Sequence, residues 1–140
     1  MKKLVIALVF GVLVLAAAAC SSKGPTDTGK VIKSAPLGNN LTATLSNKNG
    51  ALKNGDNDFF VLFKDGSDKP VEVGAVGLNF YMPWMGTMPA MNDAAAFTAT
   101  GTPGVYQGKV KLGSAGEWQA QLSYEGPAGK GKTSLTVTAQ

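Results

Sequence analysis

The residues with the clearest chemical potential lie together in one ten-residue segment, Met82 to Met91, whose sequence is Met-Pro-Trp-Met-Gly-Thr-Met-Pro-Ala-Met. It contains four of the five methionines of the chain, at a spacing of three. The thioether sulfur of methionine is a soft, uncharged ligand that suits Cu(I). The segment is therefore either a Cu(I)-handling loop or an apolar plug at the end of a folded domain.

The backbone conformation decides whether the sulfurs of this segment converge. In an extended strand, residues three apart point to opposite faces and lie about 10 Å apart, whereas in a tight turn they approach each other. Pro83, Gly86 and Pro89 favour a bent, non-regular loop in which the sulfurs can share one ion. Trp84 is placed to cover that ion, because an aromatic face attracts positive charge. The predicted ligands are Met85 and Met88, which flank Gly86, followed by Met82 and Met91.

Two alternatives to a metal site remain open for the same segment. Methionine fills irregular gaps in cores and makes favourable contacts with aromatic rings, and Phe80, Tyr81 and Phe97 are close in sequence. Met82 or Met88 would then close the end of the domain. In the other alternative, the methionines and Trp84 form an exposed apolar patch that binds a partner protein.

Catalysis is poorly supported by the composition. The chain has no histidine and a single cysteine, Cys20, which excludes Ser-His-Asp and Cys-His arrangements and disfavours a zinc site. Aspartates beside glycine usually form turns, so we place Asp56, Asp58, Asp65 and Asp68 in turns rather than in a Ca²⁺ loop. We predict that the protein is not an enzyme.

The N-terminus has the pattern of a secretory signal peptide. Lys2 and Lys3 precede an apolar run over residues 4–15, and small residues at 16–19 lead directly to Cys20. This arrangement resembles that of a bacterial lipoprotein, in which the cysteine becomes the acylated N-terminus and anchors the protein in the membrane. The resemblance predicts a cleaved signal peptide over 1–19, lipidation at Cys20 and exposure to the periplasm, with Ser21 favouring the outer membrane.

The remaining charges argue against nucleic acid as a partner. Loss of Lys2 and Lys3 with the signal peptide lowers the formal net charge from +4 to +2. The chain has no arginine, the residue on which phosphate and base recognition depend most, and its lysines are scattered. We interpret the lysines as a solvated surface.

Residues 20–29 are small, polar and rich in proline and glycine, which predicts a lipidated N-terminus followed by a flexible tether. Residues 30–140 show short alternating runs separated by turn signals every ~8–12 residues, as in an all-β sandwich. The most apolar run, residues 58–64, is predicted to be a central strand, and Trp118 to lie between the sheets. The predicted fold is an immunoglobulin-like β-sandwich of about seven strands.

Short motifs along the domain resemble those of the YtkA-like family, which is related to FixH-type envelope proteins. The resemblance runs from about Leu52 to Val137 and includes Gly55-Asp56-Asn57-Asp58-Phe59, Met82-Pro83 with Met85-Gly86, Gly104-Val105-Tyr106 and Gly116-Glu117-Trp118. It implies an exported β-sandwich without a catalytic site, associated with metal-handling or respiratory systems of the cell envelope. Metal-binding relatives place histidine beside the methionine loop, and this chain has none.

Together these features predict a lipid-anchored, extracytoplasmic domain that binds Cu(I) through the methionine-rich segment. Its expected role is accessory, in metal efflux or oxidase metallation. Its expected partners are the membrane, through Cys20, and an envelope metal-transport or respiratory protein. The alternative function is a non-metal interaction or structural module of the cell envelope.

Overall fold

The domain is an all-β sandwich, as predicted. The computed structural model describes residues 27–140, so the predicted signal peptide, Cys20 and residues 21–26 lie outside the described residues. No helix in the described part is long and apolar enough to cross a membrane. The strands are β1 (Lys30–Gly38), β2 (Leu41–Asn47), β3 (Gly55–Asp65), β4 (Ala75–Met82), β5 (Met91–Ala94), β6 (Ala96–Ala99), β7 (Val105–Leu112), β8 (Gly116–Gly126) and β9 (Gly129–Ala139).

Two antiparallel sheets form the two layers of the sandwich. One has the strand order β1-β2-β3-β7-β6 and the other the order β5-β4-β8-β9. The predicted central strand, residues 58–64, lies within β3, which is the middle strand of the five-stranded sheet. Phe59, Val61 and Phe63 are buried because they face the other sheet, whereas Phe60 and Leu62 on the outer face are half-buried.

Period-two alternation places one face of each long strand in the core. In β4 the inward residues are Leu78, Phe80 and Met82, and all three are buried. Trp118 of β8 has no exposed surface, which confirms its predicted place between the sheets. The core joins apolar residues of both sheets into one cluster.

An aromatic contact at the centre of this cluster joins the two sheets. Phe59 of β3 meets Phe80 of β4 edge to face, with ring centroids 6.0 Å apart, and meets Phe97 of β6 in the same way at 5.9 Å. The Phe59 ring lies over Gly108 of β7, its cross-strand partner. A Cβ on Gly108 would stand 2.4 Å from two atoms of this ring, so only glycine fits.

The strand count differs from the expectation of about seven, because the described residues form nine strands. The chain segment 91–99 forms β5 in one sheet and β6 in the other rather than a single strand. Ala95 makes the crossing, and its N–H donates to the carbonyl of Leu78 over 2.9 Å. β4 begins only at Ala75, and before it the Val71 N–H still donates to the carbonyl of Phe63 near the end of β3.

The four aspartates that were placed in turns divide into two pairs. Asp65 accepts hydrogen bonds from the backbone N–H groups of Ser67 and Lys69, as expected of a turn residue. Asp56 and Asp58, in contrast, lie in β3, so that part of the prediction is wrong. The physical reason is cross-strand charge pairing with lysines of β7, since Asp56 lies opposite Lys111 and Asp58 opposite Lys109.

A buried tyrosine ties the connection before β4 to β7. The Tyr106 hydroxyl donates to the Glu72 carboxylate and accepts a 3.3 Å hydrogen bond from the N–H of Val73. Burial raises the pKa of Tyr106 above its usual 10.0, and the hydrogen bond to Glu72 raises this pKa further. The neutral phenol is therefore the form that the fold favours.

We expect Gly108→Ala to destabilise the domain by about 1–3 kcal/mol, because the added Cβ overpacks the site occupied by the Phe59 ring. The free energy of unfolding in urea measures this change. Gly101→Ala is the matched control, since a Cβ there meets nothing within 4 Å, and it should lie within about 0.5 kcal/mol of the wild type. Equal stability of the two variants would contradict the packing argument.

Tyr106 should also make stability depend on alkaline pH. A tyrosine whose folded-state pKa is raised contributes stability that is complete below the unfolded-state pKa and is lost as the pH rises through the folded-state pKa. The unfolding free energy should therefore fall above about pH 10. Tyr106→Phe should cost about 1–3 kcal/mol at neutral pH by leaving the buried Val73 N–H unpaired, and should make the alkaline loss shallower. Parallel pH slopes for the two proteins would refute this role.

Candidate soft-metal site at the β4–β5 hairpin

The methionine-rich segment is a β-hairpin whose pairing continues beyond the ends of β4 and β5. Met82 pairs with Met91 at the ends of these strands, and Met85 then pairs with Met88 in the same register. The N–H of Met85 donates to the carbonyl of Met88 over 3.1 Å, and the reverse bond measures 3.0 Å. The predicted bend is present at residues 86–87, and residues 83–84 and 89–90 lie outside the strands, but the pairing of Met85 with Met88 makes the segment a hairpin.

A two-residue turn, Gly86-Thr87, closes the hairpin. Gly86 has a φ of 59°, and a glycine with positive φ at the first central position is typical of a type II′ turn. The twist of this turn matches the twist of paired strands, so it holds Met85 and Met88 opposite each other. Pro83 and Pro89 carry no N–H, which explains why ladder pairing is interrupted between the two methionine pairs.

The inner pair, Met82 and Met91, belongs to the end of the core. Met82 is 1% exposed, and its Cε lies 3.2 Å from the position that a Cβ on Gly116 would take. Met91 is partly buried against the core, and its Sδ lies 3.3 Å from the corresponding position on Gly113. Both side chains therefore pack beside the turn between β7 and β8, as the plug interpretation predicts for Met82.

The outer pair, Met85 and Met88, faces solvent. Met85 is 53% exposed and Met88 is 40% exposed. Every residue from 83 to 90 is exposed, and we call this segment the hairpin tip. Directly paired residues of a hairpin project their side chains to the same face, with Cα atoms about 5.5 Å apart in a mutually hydrogen-bonded pair. Two flexible thioethers thus start from neighbouring positions on one exposed face.

The structure does not bring the four predicted ligands together at one surface. Met82 and Met85 are three residues apart in an extended segment, so their side chains lie on opposite faces of the hairpin. The same holds for Met88 and Met91. Met82 and Met91 pack against the core, whereas Met85 and Met88 are exposed and can reach a ligand. Metal binding by any of the four methionines remains a prediction.

Trp84 lies next to the exposed pair and is itself 74% exposed. Its indole N–H donates to the carbonyl of Gly86, in the turn between Met85 and Met88. This bond holds the ring against the turn. Proximity of the ring to the two exposed sulfurs, as a cation–π site would need, stays a prediction.

The site is electrically neutral. No residue from 82 to 91 has an ionisable side chain. The nearest carboxylate in sequence, that of Asp93, accepts a 3.0 Å hydrogen bond from the Gly113 N–H and is thus engaged in holding the β7–β8 turn. Within residues 27–140, no three or more aspartate, glutamate, histidine or cysteine residues are grouped where they could hold a metal ion. Methionine sulfurs are the soft donors that the tip offers.

The sequence contains a signal for this hairpin that pattern reasoning missed. A glycine followed by one residue, flanked symmetrically by methionines, is the spacing of a two-residue hairpin turn. The prolines at 83 and 89 drew the interpretation toward an irregular loop. Pro89 is tolerated because it precedes β5, an edge strand, where a missing N–H breaks little of the ladder, and Pro83 lies beyond the last residue of β4 that pairs with β8.

Comparison with known proteins yields one match. The family model described as YtkA-like matches residues 37–123, which extend from the end of β1 into β8 and include the whole hairpin. No curated protein and no solved structure gives a significant match.

We expect limited hydrogen peroxide to oxidise Met85 and Met88 first, because sulfoxide formation follows exposure of the sulfur to solvent. Met82 should be the slowest and Met91 intermediate. Peptide mass spectrometry over a time course measures the four rates. In denaturant the four methionines should react alike, which controls for intrinsic reactivity. Oxidation of Met82 at the rate of Met85 in the folded protein would contradict the division into inner and outer pairs.

Proposed function

The chain belongs to the YtkA-like family, and from this membership together with its paired, exposed sulfurs we propose that it is an envelope accessory domain that binds Cu(I) at the hairpin tip. The family supports a general extracytoplasmic accessory domain with a non-catalytic β-sandwich fold. The finer assignment rests on the hairpin. In this proposal Met85 and Met88 supply the sulfur ligands and Trp84 covers the ion.

One observation carries the proposal: Met85 and Met88 are a directly paired, solvent-exposed couple of neutral soft donors. Thioethers prefer Cu(I) over harder cations such as Ca²⁺ or Mg²⁺. Neutral donors also leave the ion its positive charge, which favours contact with an aromatic face. Trp84 is held at the turn between the two methionines by its hydrogen bond to Gly86, which supports it as the aromatic partner.

The exposure of Met85 and Met88 favours transfer of a bound Cu(I) ion to a partner over its storage in this domain. Two thioethers on a surface turn leave a bound ion open to further ligands on one side. A partner protein that presents additional donors can therefore take the ion without unfolding the hairpin. Met82 and Met91 pack at the end of the core next to the tip. Their burial fixes the strand register that sets Met85 opposite Met88.

The proposal includes the predicted location. Lipidation at Cys20 would hold the domain at a periplasmic membrane surface, with the outer membrane favoured by Ser21. The partner would be an envelope protein of metal transport or respiration, to which the domain delivers Cu(I) or from which it receives it.

A second candidate function is a non-metal interaction module, and the apolar character of the tip favours it. Trp84, Met85 and Met88 are three of the four large exposed hydrophobic side chains among the described residues. Pro83 and Pro89 extend this apolar surface. Such a patch can bind another envelope protein through burial alone.

An anaerobic Cu(I) titration against a competing chelator tests the metal proposal. The double variant Met85→Leu with Met88→Leu should lose detectable binding, because both exposed sulfurs are gone. The matched control, Met82→Leu with Met91→Leu, should keep near wild-type affinity. Leucine replaces methionine in a core at a cost usually below about 1.5 kcal/mol, so both variants should fold.

Trp84→Leu, measured in the same Cu(I) titration, should weaken binding without abolishing it. An exposed cation–π contact contributes about 0.5–1 kcal/mol, which corresponds to a weakening of Cu(I) binding by about two- to fivefold. Indistinguishable affinities of the wild type and the Met85/Met88 variant would refute the metal proposal. Retention of an envelope partner by that same variant would then support the interaction module.

A further inference from the structure

The strand directions place the hairpin tip and the start of the domain at the same end of the sandwich. β4 ends at the tip, and its antiparallel partner β8 begins there. A short turn joins β7 to β8, so the last residue of β7 also lies at this end of the sandwich. The antiparallel partner of β7, strand β3, therefore begins at the same end. Following the antiparallel pairs from β3 to β2 and then to β1 shows that Lys30, the first residue of β1, also lies toward this end.

From this placement we propose that the hairpin tip rests in the headgroup layer of the bilayer to which Cys20 is attached. The inference rests on the proposed lipidation of Cys20 and goes beyond Cu(I) binding, because it assigns the tip a lipid surface as its partner. The tip would act as a second, weak membrane contact that sets the orientation of the domain.

The length of the connection limits how far the domain can move from its anchor. Six residues lie between Cys20 and Asp27, the first described residue, and a fully extended chain over these seven steps reaches at most about 25 Å. The eight residues of β4 are about as long, at roughly 26 Å. The connection therefore keeps the start of the domain within about 25 Å of the bilayer, and the tip lies at that same end of the sandwich.

The chemistry of the tip suits the headgroup region of a membrane. Tryptophan is enriched at membrane interfaces, where its ring is buried and its N–H reaches a polar partner. Trp84 is exposed and its N–H is already bonded to the Gly86 carbonyl. No charge from residue 82 to residue 91 opposes insertion. The mutual backbone hydrogen bonds of Met85 and Met88 reduce the cost of removing the turn from water.

Two tryptophans at contrasting positions make the proposal measurable. Trp84 is 74% exposed at the tip, whereas Trp118 is fully buried in the core. The mature chain, isolated from membranes with its lipid, is reconstituted into vesicles of phosphatidylethanolamine and phosphatidylglycerol in the presence of a copper chelator. Lipids brominated near the headgroup should quench Trp84 fluorescence several-fold more than lipids brominated near the acyl-chain ends. A Trp84→Phe chain, which retains Trp118 alone, should not be quenched.

Variants of the tip distinguish membrane contact from metal binding. Met85→Glu with Met88→Glu puts two charges on the tip and should abolish quenching by brominated lipid. Met85→Leu with Met88→Leu should keep the quenching although it is expected to lose Cu(I), because leucine preserves the apolar surface. The control is Ser67→Glu, which adds a charge at an exposed position of the β3–β4 connection, at the opposite end of the sandwich, and should leave the quenching unchanged.

Three results would overturn the inference. Equal acrylamide quenching of Trp84 on vesicles and in the lipid-free protein would show that the tip stays in water. Protection from acrylamide without quenching by brominated lipid would show that a protein, including a second copy of this chain, covers the tip. Recovery of the mature chain in the soluble fraction would remove the tether on which the orientation depends.

Discussion

The inward face of β4 is the constraint on which the arrangement of the hairpin depends. Leu78, Phe80 and Met82 are buried at every second position, and Phe80 contacts Phe59 of the opposite sheet. A shift of β4 by one residue would turn all three side chains to the solvent face, so the core fixes its register. Because the hairpin continues that register to its turn, burial of Met82 also determines that Met85 and Met88 face outward.

The architecture was largely predictable because its main signal is local. Alternation in residues 105–112 and 117–125 marks β7 and β8, and both strands bury apolar residues at alternate positions, such as Val110 and Leu112 in β7 and Trp118 and Ala120 in β8. The division of residues 91–99 between two sheets was not predictable in the same way. Ala95 makes that crossing without a glycine or proline to mark it, and its position is fixed by a hydrogen bond to Leu78, which is distant in sequence.

The candidate site was predictable in composition but not in geometry. Sequence reasoning identified all four methionines and Trp84, and it recognised that residues three apart cannot share an ion in an extended strand. Pro83 and Pro89 indicate irregular backbone, and residues 83–84 and 89–90 do lie outside the strands, but neither proline signals that Met85 pairs with Met88 across the turn. Whether a methionine side chain faces the core depends on which alternate positions of β4 point inward. Contacts of β4 with β8 and with Phe59 decide this.

The fold explains some residues of the hairpin and leaves others unexplained, and this division is the best guide to function. Met82 is required by the core, and Gly86 by the positive φ of the turn. The paired positions 85 and 88 need only residues that tolerate an exposed hairpin, and polar side chains would meet that need while keeping the tip soluble. Their occupation by methionine beside an exposed tryptophan is therefore unexplained by stability. The proposed contact with a soft metal ion or with an apolar environment would account for that choice, and both proposals use the exposed tip.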